Sequence, residues 1–238
     1  MTTDPILLPL GQRPAIDLPG PTTYPAETTE RLERDAATLI ARYPQARSAL
    51  IPLLHLVQSE DGHLTPAGIG FCARMIGLTE AEVTAVATFY SMFRRSPTGE
   101  YLIGVCTNTL CAVMGGDAIL AALREHLGIN DGETTPDGMV TLEHVECNAA
   151  CDYAPVVMAN WEFLDNQTPA SARELVDSLR AGEAVTPARG ATLCTFKEAA
   201  RILAGLDDEQ PGSIDAARPG APTLAGLRAA RRDGGDER

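Results

Sequence analysis

Four of the six cysteines fall in two pairs, Cys106-Thr-Asn-Thr-Leu-Cys111 and Cys147-Asn-Ala-Ala-Cys151, spaced C-x4-C and C-x3-C. Each pair follows an apolar or alternating run, 101–105 and 140–145, that reads as a strand stopping at the first cysteine, with the pair in a short loop. Two strands ending side by side would bring four thiols to one rim of a sheet. Four convergent thiolates are a metal-binding set. A two-iron iron–sulfur cluster is held by four Cys thiolates, often at spacings unlike those of zinc fingers. Gly104, Gly115, Gly116 and the small residues Asn148, Ala149 and Ala150 let the backbone come close to such a group. A structural zinc site is the nearest rival, because its C-x2-4-C pairing tolerates these gaps. Unligated or oxidised cysteines rank third, since nothing in the chain indicates export.

The remaining composition narrows the classes. The chain has 238 residues, room for one large domain or two small ones, and its 45% hydrophobic content is ordinary for a soluble globular protein. A net charge of −13 argues against general binding to nucleic acid or anionic membranes. No apolar run reaches eighteen residues, and the N-terminus lacks the basic start and long apolar stretch of a secretion signal. A cytoplasmic protein is expected, with membrane association only through partners. Neither G-x-G-x-x-G nor G-x-x-x-x-G-K-[ST] occurs, so nucleotide-cofactor chemistry by this chain alone is not expected.

The elements that must position the cysteines can be read in order. Residues 1–26 hold six prolines and read as an extended arm. Leu32, Ala36, Leu39, Ile40 and Tyr43 form one helical stripe that Pro44 stops. A second helix spans 47–59, with Leu50, Leu54 and Val57 inward and Pro52 in its first turn or at a kink. Thr65-Pro66 opens a third helix to Ile76, and the capping box Thr79-Glu-Ala-Glu82 opens a fourth. Its end, Phe89-Tyr90-Ser-Met92-Phe93, is expected to pack in the core where two domains meet. Beyond the first cysteine pair come a helix at 117–127 closed by Gly128, the strand 140–145, strands at 155–158 and 161–164, and a helix from Thr168-Pro169 to near Gly182. Thr195-Phe-Lys-Glu198 caps one more short helix, and the rest reads as tail, with Arg228, Arg231 and Arg232 solvated. Cys72 reads as a buried hydrophobe, Cys194 as structural, and His144 is set aside as a ligand because four cysteines already suffice.

The stretches Gly132-Glu-Thr-Thr-Pro-Asp-Gly138, Val145-Glu-Cys147 and Ala150-Cys151-Asp-Tyr-Ala-Pro-Val-Val-Met158 resemble the E-subunit family of NADH-quinone oxidoreductase, respiratory complex I. The similarity runs from about residue 27 to 182 and includes Gly77-Leu-Thr-Glu-Ala-Glu-Val83 and Val86-Ala-Thr-Phe-Tyr-Ser-Met-Phe93. It implies an α+β chain in which a four-helix subdomain (27–96) precedes a thioredoxin-like [2Fe-2S] ferredoxin domain (97–184). That domain is expected to hold a mixed sheet of about four strands with two helices, flanked by an arm (1–26) and a C-terminal extension with one short helix and a tail (185–238). It further implies one [2Fe-2S] cluster on Cys106, Cys111, Cys147 and Cys151, two thiolates to each iron. FMN and NADH would be held only by the neighbouring flavin subunit, and the chain would work in a hetero-oligomer on the cytoplasmic face of the membrane. The C-x-x-C of redox-active thioredoxins is absent, so dithiol exchange is not expected. The equivalent diaphorase subunit of an NAD-reducing hydrogenase or NAD-linked formate dehydrogenase looks similar at this level, and a zinc-bound scaffold is the rival from another class. One departure is Ala149, where the family often has Gly; a negative φ is therefore expected there.

Overall fold

The computed structural model of the protein describes residues 18–206 and 220–232. Most of the expected N-terminal arm, 1–17, and the stretches 207–219 and 233–238 lie outside the described residues. Residues 18–25 run along the helices that follow: the Ala67 N–H donates to the Pro21 carbonyl at 2.9 Å, and the Tyr24 hydroxyl to Asp61 Oδ2 at 2.6 Å.

Helix α1 (Ala26–Ile40) buries Leu32, Ala36 and Leu39. It stops short of Tyr43, which lies beyond the helix and is exposed. The Arg42 and Tyr43 N–H groups bond three residues back, to Leu39 and Ile40, tightening the chain before Pro44. A 3-10 turn (Ala46–Ala49) then leads into α2 (Leu50–Asp61), which starts three residues later than the sequence suggests. Pro52 sits in the first turn of α2, where no helical N–H is needed. Helices α3 (Pro66–Ile76) and α4 (Glu80–Phe89) carry the expected caps: Thr65 accepts from the Gly68 N–H, and Thr79 and Glu82 form a complete capping box.

The Phe89–Phe93 cluster does not pack as expected. Only Phe93 enters the core; Phe89 is 80% exposed and Tyr90 44%. Val83 and Ala87 set the inward face of α4, and Phe89, two positions past Ala87, points about 200° away from it.

The second half of the chain is a four-stranded sheet in the order β2-β1-β3-β4. Its elements are β1 (Tyr101–Cys106), a short α5 (Thr109–Val113), α6 (Gly116–Leu127), β2 (Val140–Val145), a 3-10 turn (Cys151–Tyr153), β3 (Val157–Ala159), β4 (Glu162–Leu164) and α7 (Pro169–Arg180). Strands β1 and β2 are parallel, with Tyr101 opposite Val140 and Cys106 opposite Val145; β3 and β4 join antiparallel. Ile103, Val105, Val140 and Leu142 pack with Ile119 and Leu123 of α6 and Val176 and Leu179 of α7. The mixed α+β architecture is that expected from sequence. Strand β3 starts later than Pro155, which has no N–H to give to a ladder.

Asn160 and Trp161 form the two-residue β3–β4 turn, both at positive φ (48° and 71°), as a primed turn requires. The Asn160 side chain accepts from the Leu102 N–H at 2.8 Å and donates to the Glu100 and Cys194 carbonyls at 3.0 and 2.7 Å. Trp161 stacks on Phe196, with ring centroids 5.0 Å apart.

Phe196 begins α8 (Phe196–Leu203), whose Thr195/Glu198 capping box was legible in the sequence. The helix lies against α2, with Lys197 bonded to the Glu60 carbonyl at 2.8 Å, and Arg201 reaches across to Asp35 of α1 at 2.8 Å. Residues 221–232, expected as tail, form a further helix, α9 (Ala221–Arg232), with no buried side chain. Its alanines, leucines and arginines are strong helix formers, and Pro222 falls in the first turn. Arg228, Arg231 and Arg232 are on its exposed surface, as expected. Among the described residues no helix is long and apolar enough to cross a membrane.

His55 of α2 is 5% exposed, its ring 4.8 Å from that of Phe93 and 6.4 Å from that of Trp161, and its Nδ1 has no hydrogen-bond partner. Burial lowers its pKa from 6.5 to about 4. As pH falls below 6.5 the unfolded chain takes up a proton that the folded chain refuses until about pH 4, so stability drops across that window. The drop is on the order of 3 kcal/mol. Replacing His55 by Leu should flatten the pH dependence of the urea-unfolding free energy between those limits, and an unchanged slope would remove His55 as its source.

Candidate metal centre

Cys106 is the last residue of β1, and its N–H donates to the Val156 carbonyl at 3.1 Å. The sheet itself therefore fixes the first thiol. Asn108 turns the chain: its Oδ1 accepts from the Thr109 N–H at 3.1 Å and opens α5. Its Nδ2 donates to Glu146 Oε2 at 3.0 Å and ties the first cysteine segment to the second. Cys111 sits inside α5 rather than in the expected loop, and both members of the first pair are buried. Asn before Thr-Leu-Cys is an N-cap signal that would have disclosed this turn of helix.

Helix α6 starts directly against the first pair. A β-carbon on Gly116 would lie 2.4 Å from the Cys106 carbonyl oxygen and 2.9 Å from that of Cys111, so only glycine fits. A β-carbon on Gly104 would lie 2.8 Å from Val145 Cγ1, so the close packing of β1 on β2 near the cysteines also needs glycine.

Cys147 and Cys151 are exposed, and Cys151 begins the 3-10 turn. Ala149 between them has φ +55°, not the negative value expected. The left-handed conformation lets its N–H donate to Cys147 Sγ at 3.4 Å, which offsets part of a steric cost of about 1 kcal/mol. His144 remains in β2 opposite Val105 and is exposed. Cys72 is buried in the helical core, where burial pushes its thiol well above the usual range. Cys194 lies beside Asn160, away from the two pairs.

The parallel register ends β1 and β2 side by side, so the two cysteine pairs stand at one end of the sheet. Cys106 is near enough to act on the Cys111 thiol and Cys147 on that of Cys151, and the two pairs also act on each other electrostatically through Cys151. Burial first, then the neighbouring thiols, pushes Cys111 up to about 11, although a backbone hydrogen bond from Val156 to its sulfur acts the other way. The Cys147 hydrogen bond raises Cys151. Among the described residues no three Cys, His, Asp or Glu side chains converge closely enough to hold one metal ion. Two pairs of thiolates can hold either a sulfur-bridged two-iron group or one tetrahedral zinc ion. Asn148 of the second loop also buries its Nδ2 without a partner, a spare N–H of the kind that sulfur-rich acceptors take. Beside Cys111, Leu110, Val113 and Met114 are exposed by 43%, 82% and 53%.

Two substitutions test this geometry. Ala149→Gly should stabilise the protein by up to about 1 kcal/mol in urea unfolding, by relieving the left-handed alanine. Gly116→Ala should cost about 2 kcal/mol in the same measurement, because its β-carbon meets backbone on both sides.

Residues 36–180 match the family described as thioredoxin-like [2Fe-2S] ferredoxin. The E subunit of NADH-quinone oxidoreductase from Mycobacterium tuberculosis is 66% identical over 213 residues, covering 90% of this chain and 84% of the relative. NADH-quinone oxidoreductase subunit 2 of Thermus thermophilus is 41% identical over 146 residues, 60% of this chain and 81% of the relative. Among solved structures, an NAD+-reducing [NiFe]-hydrogenase in the air-oxidized state aligns with TM-score 0.51 at 22% identity. That alignment covers 56% of this chain and 23% of the hydrogenase chain, and bears on the fold alone. The sheet and all four paired cysteines fall inside the matched segment, and the chain belongs to the thioredoxin-like [2Fe-2S] ferredoxin family.

Proposed function

We propose that this chain is an electron-transfer subunit of an NADH-quinone oxidoreductase and holds one [2Fe-2S] cluster on Cys106, Cys111, Cys147 and Cys151, two thiolates to each iron. The observation that carries the reading is that two cysteine pairs follow the ends of the adjacent parallel strands β1 and β2, in a chain 66% identical to the mycobacterial NADH-quinone oxidoreductase protein. When bound, such a cluster accepts and returns one electron. The protein's part is to hold the sulfurs and set their surroundings. Hydrogen bonds from Val156 to the Cys111 sulfur and from the Ala149 N–H to Cys147 Sγ favour added negative charge there. The buried first pair keeps water from one side, while the second pair faces outward.

With no nucleotide-binding motif in the chain, oxidation of NADH and the FMN that performs it fall to a neighbouring subunit. The exposed Leu110, Val113 and Met114 beside Cys111 form an apolar rim for that neighbour to cover. The assembly is a hetero-oligomer on the cytoplasmic face of the membrane, attached through its other subunits.

Iron, zinc and acid-labile sulfide analysis of anaerobically purified protein, with electron paramagnetic resonance after dithionite reduction, tests the reading. Equal iron and sulfide and a spin-half signal are expected, and Cys106→Ser should diminish both while the fold persists. Zinc without sulfide would overturn electron transfer. Co-purification with hydrogenase or formate-oxidising subunits, rather than membrane-arm subunits, would move the chain to a different parent complex.

A further inference from the structure

We propose that Arg189 and Thr223 are positioning residues for the Cys151 half of the centre, acting from the C-terminal extension on the turn Cys151–Tyr153. The proposal rests on the assignment of Cys151 as a ligand. The two cysteine pairs are not equally supported. Cys106 is held by the sheet and Cys111 by a helix and the Val156 hydrogen bond, whereas Cys147 and Cys151 sit in an exposed loop whose one backbone bond to sulfur comes from Ala149. The place of the Cys151 sulfur therefore depends on what grips the residues just after it.

Tyr153, two residues on, is 7% exposed and is gripped twice. The Arg189 guanidinium lies 4.3 Å over the centre of its ring and 4.9 Å over that of Phe163. The same guanidinium makes a forked pair with Asp165, Nε to Oδ2 at 2.7 Å and Nη2 to Oδ1 at 3.0 Å, and the Asp165 side chain is 5% exposed. The Asn166 N–H next to it donates to the Tyr153 carbonyl at 2.8 Å, so Arg189, Asp165 and the turn form one closed unit. From the other side, the Thr223 hydroxyl of α9 donates to Asp152 Oδ2 at 2.8 Å and lies 3.1 Å from the Tyr153 hydroxyl. A β-carbon on Gly220 would stand 2.4 Å from the Tyr153 hydroxyl, which shows how closely the start of α9 is seated. Both gripping residues lie beyond the segment 36–180 that matches the family.

A clamp of this kind fixes ligand direction and limits solvent access, the two outer-shell effects that tune a metal centre. Lys in place of Arg189 keeps the charge but loses both the fork and the planar stack. The test uses the full-length, cluster-loaded protein and the variants Arg189→Lys, Thr223→Val and Thr223→Ser. Arg189→Lys and Thr223→Val should keep the parental circular dichroism but shift the midpoint potential and the shape of the reduced paramagnetic signal. They should also release iron to a ferrous chelator on the order of tenfold faster. Thr223→Ser, which keeps the hydroxyl, should restore the parental values. Thr223 is exposed on a helix with no buried side chain, so its variants report even if Arg189→Lys fails to fold. A loaded parent and a Thr223→Val variant alike in potential, signal and release rate would overturn the clamp and leave the ligand assignment standing. A parent that carries no iron and sulfide would overturn the assignment, and the clamp with it.

Discussion

The parallel pairing of β1 with β2 is the constraint on which the centre depends. Parallel strands need a crossover, and α6 with the turn after it supplies one, carrying the chain from the first cysteine pair back to the start of β2. The pairing places Cys106 opposite Val145, two residues before Cys147, so both pairs emerge at the same end of the sheet. A slip of one residue would turn every side chain of β2 to the opposite face and put Val145 out of contact with Gly104. The register is held from below by Val140 and Leu142 in the core and from above by the Asn108–Glu146 hydrogen bond.

The helical half is joined to this sheet by polar and aromatic groups rather than by one continuous apolar core. Fully buried Gln58 of α2 donates to the Met92 carbonyl at 3.1 Å and accepts from the Arg94 N–H at 2.7 Å, fixing the connection between the halves. Arg94 then pairs with Glu143 of β2 at 2.6 Å, with both side chains largely withdrawn from solvent. The Asn160-Trp161 turn closes the opposite edge, with Asn160 satisfying three backbone groups and Trp161 meeting Phe196 and His55. Groups of this kind specify one arrangement, because a shifted alternative would leave buried donors and acceptors unmatched.

What was legible in the sequence was what local rules control. Thr65-Pro66 and the Thr79, Thr168 and Thr195 caps marked helix starts within a residue, because each cap satisfies N–H groups a few positions away. The period of β2 and the cysteine spacing gave the strand and the candidate ligands for the same reason. The errors occurred where distant contacts decide. The conformation of Ala149 follows the Cys147 sulfur rather than the usual preference of alanine. The exposure of Phe89 follows the direction of α4, which a count of aromatic residues does not report. The docking of α9 on Asp152 and Tyr153 spans about seventy positions of sequence, beyond the reach of any periodicity. Cys111 in α5 was different, since its Asn108 cap was there to be read.

The lodging of α8 against α2 gives the order in which the nascent chain can finish folding. Every strand of the sheet, together with α6 and α7, has left the ribosome once Arg180 is clear of the exit tunnel. The helical half has been out longer, yet it remains incomplete, because the flank of α2 that α8 covers stays open until α8 is made. The Asp35–Arg201 contact closes a loop of 166 residues, the slow kind of contact for a folding chain. The helical half, made before the sheet, is thus sealed after it, and a ribosome stalled between α7 and α8 would display a formed sheet beside an uncovered apolar helix, the kind of surface on which chaperones act.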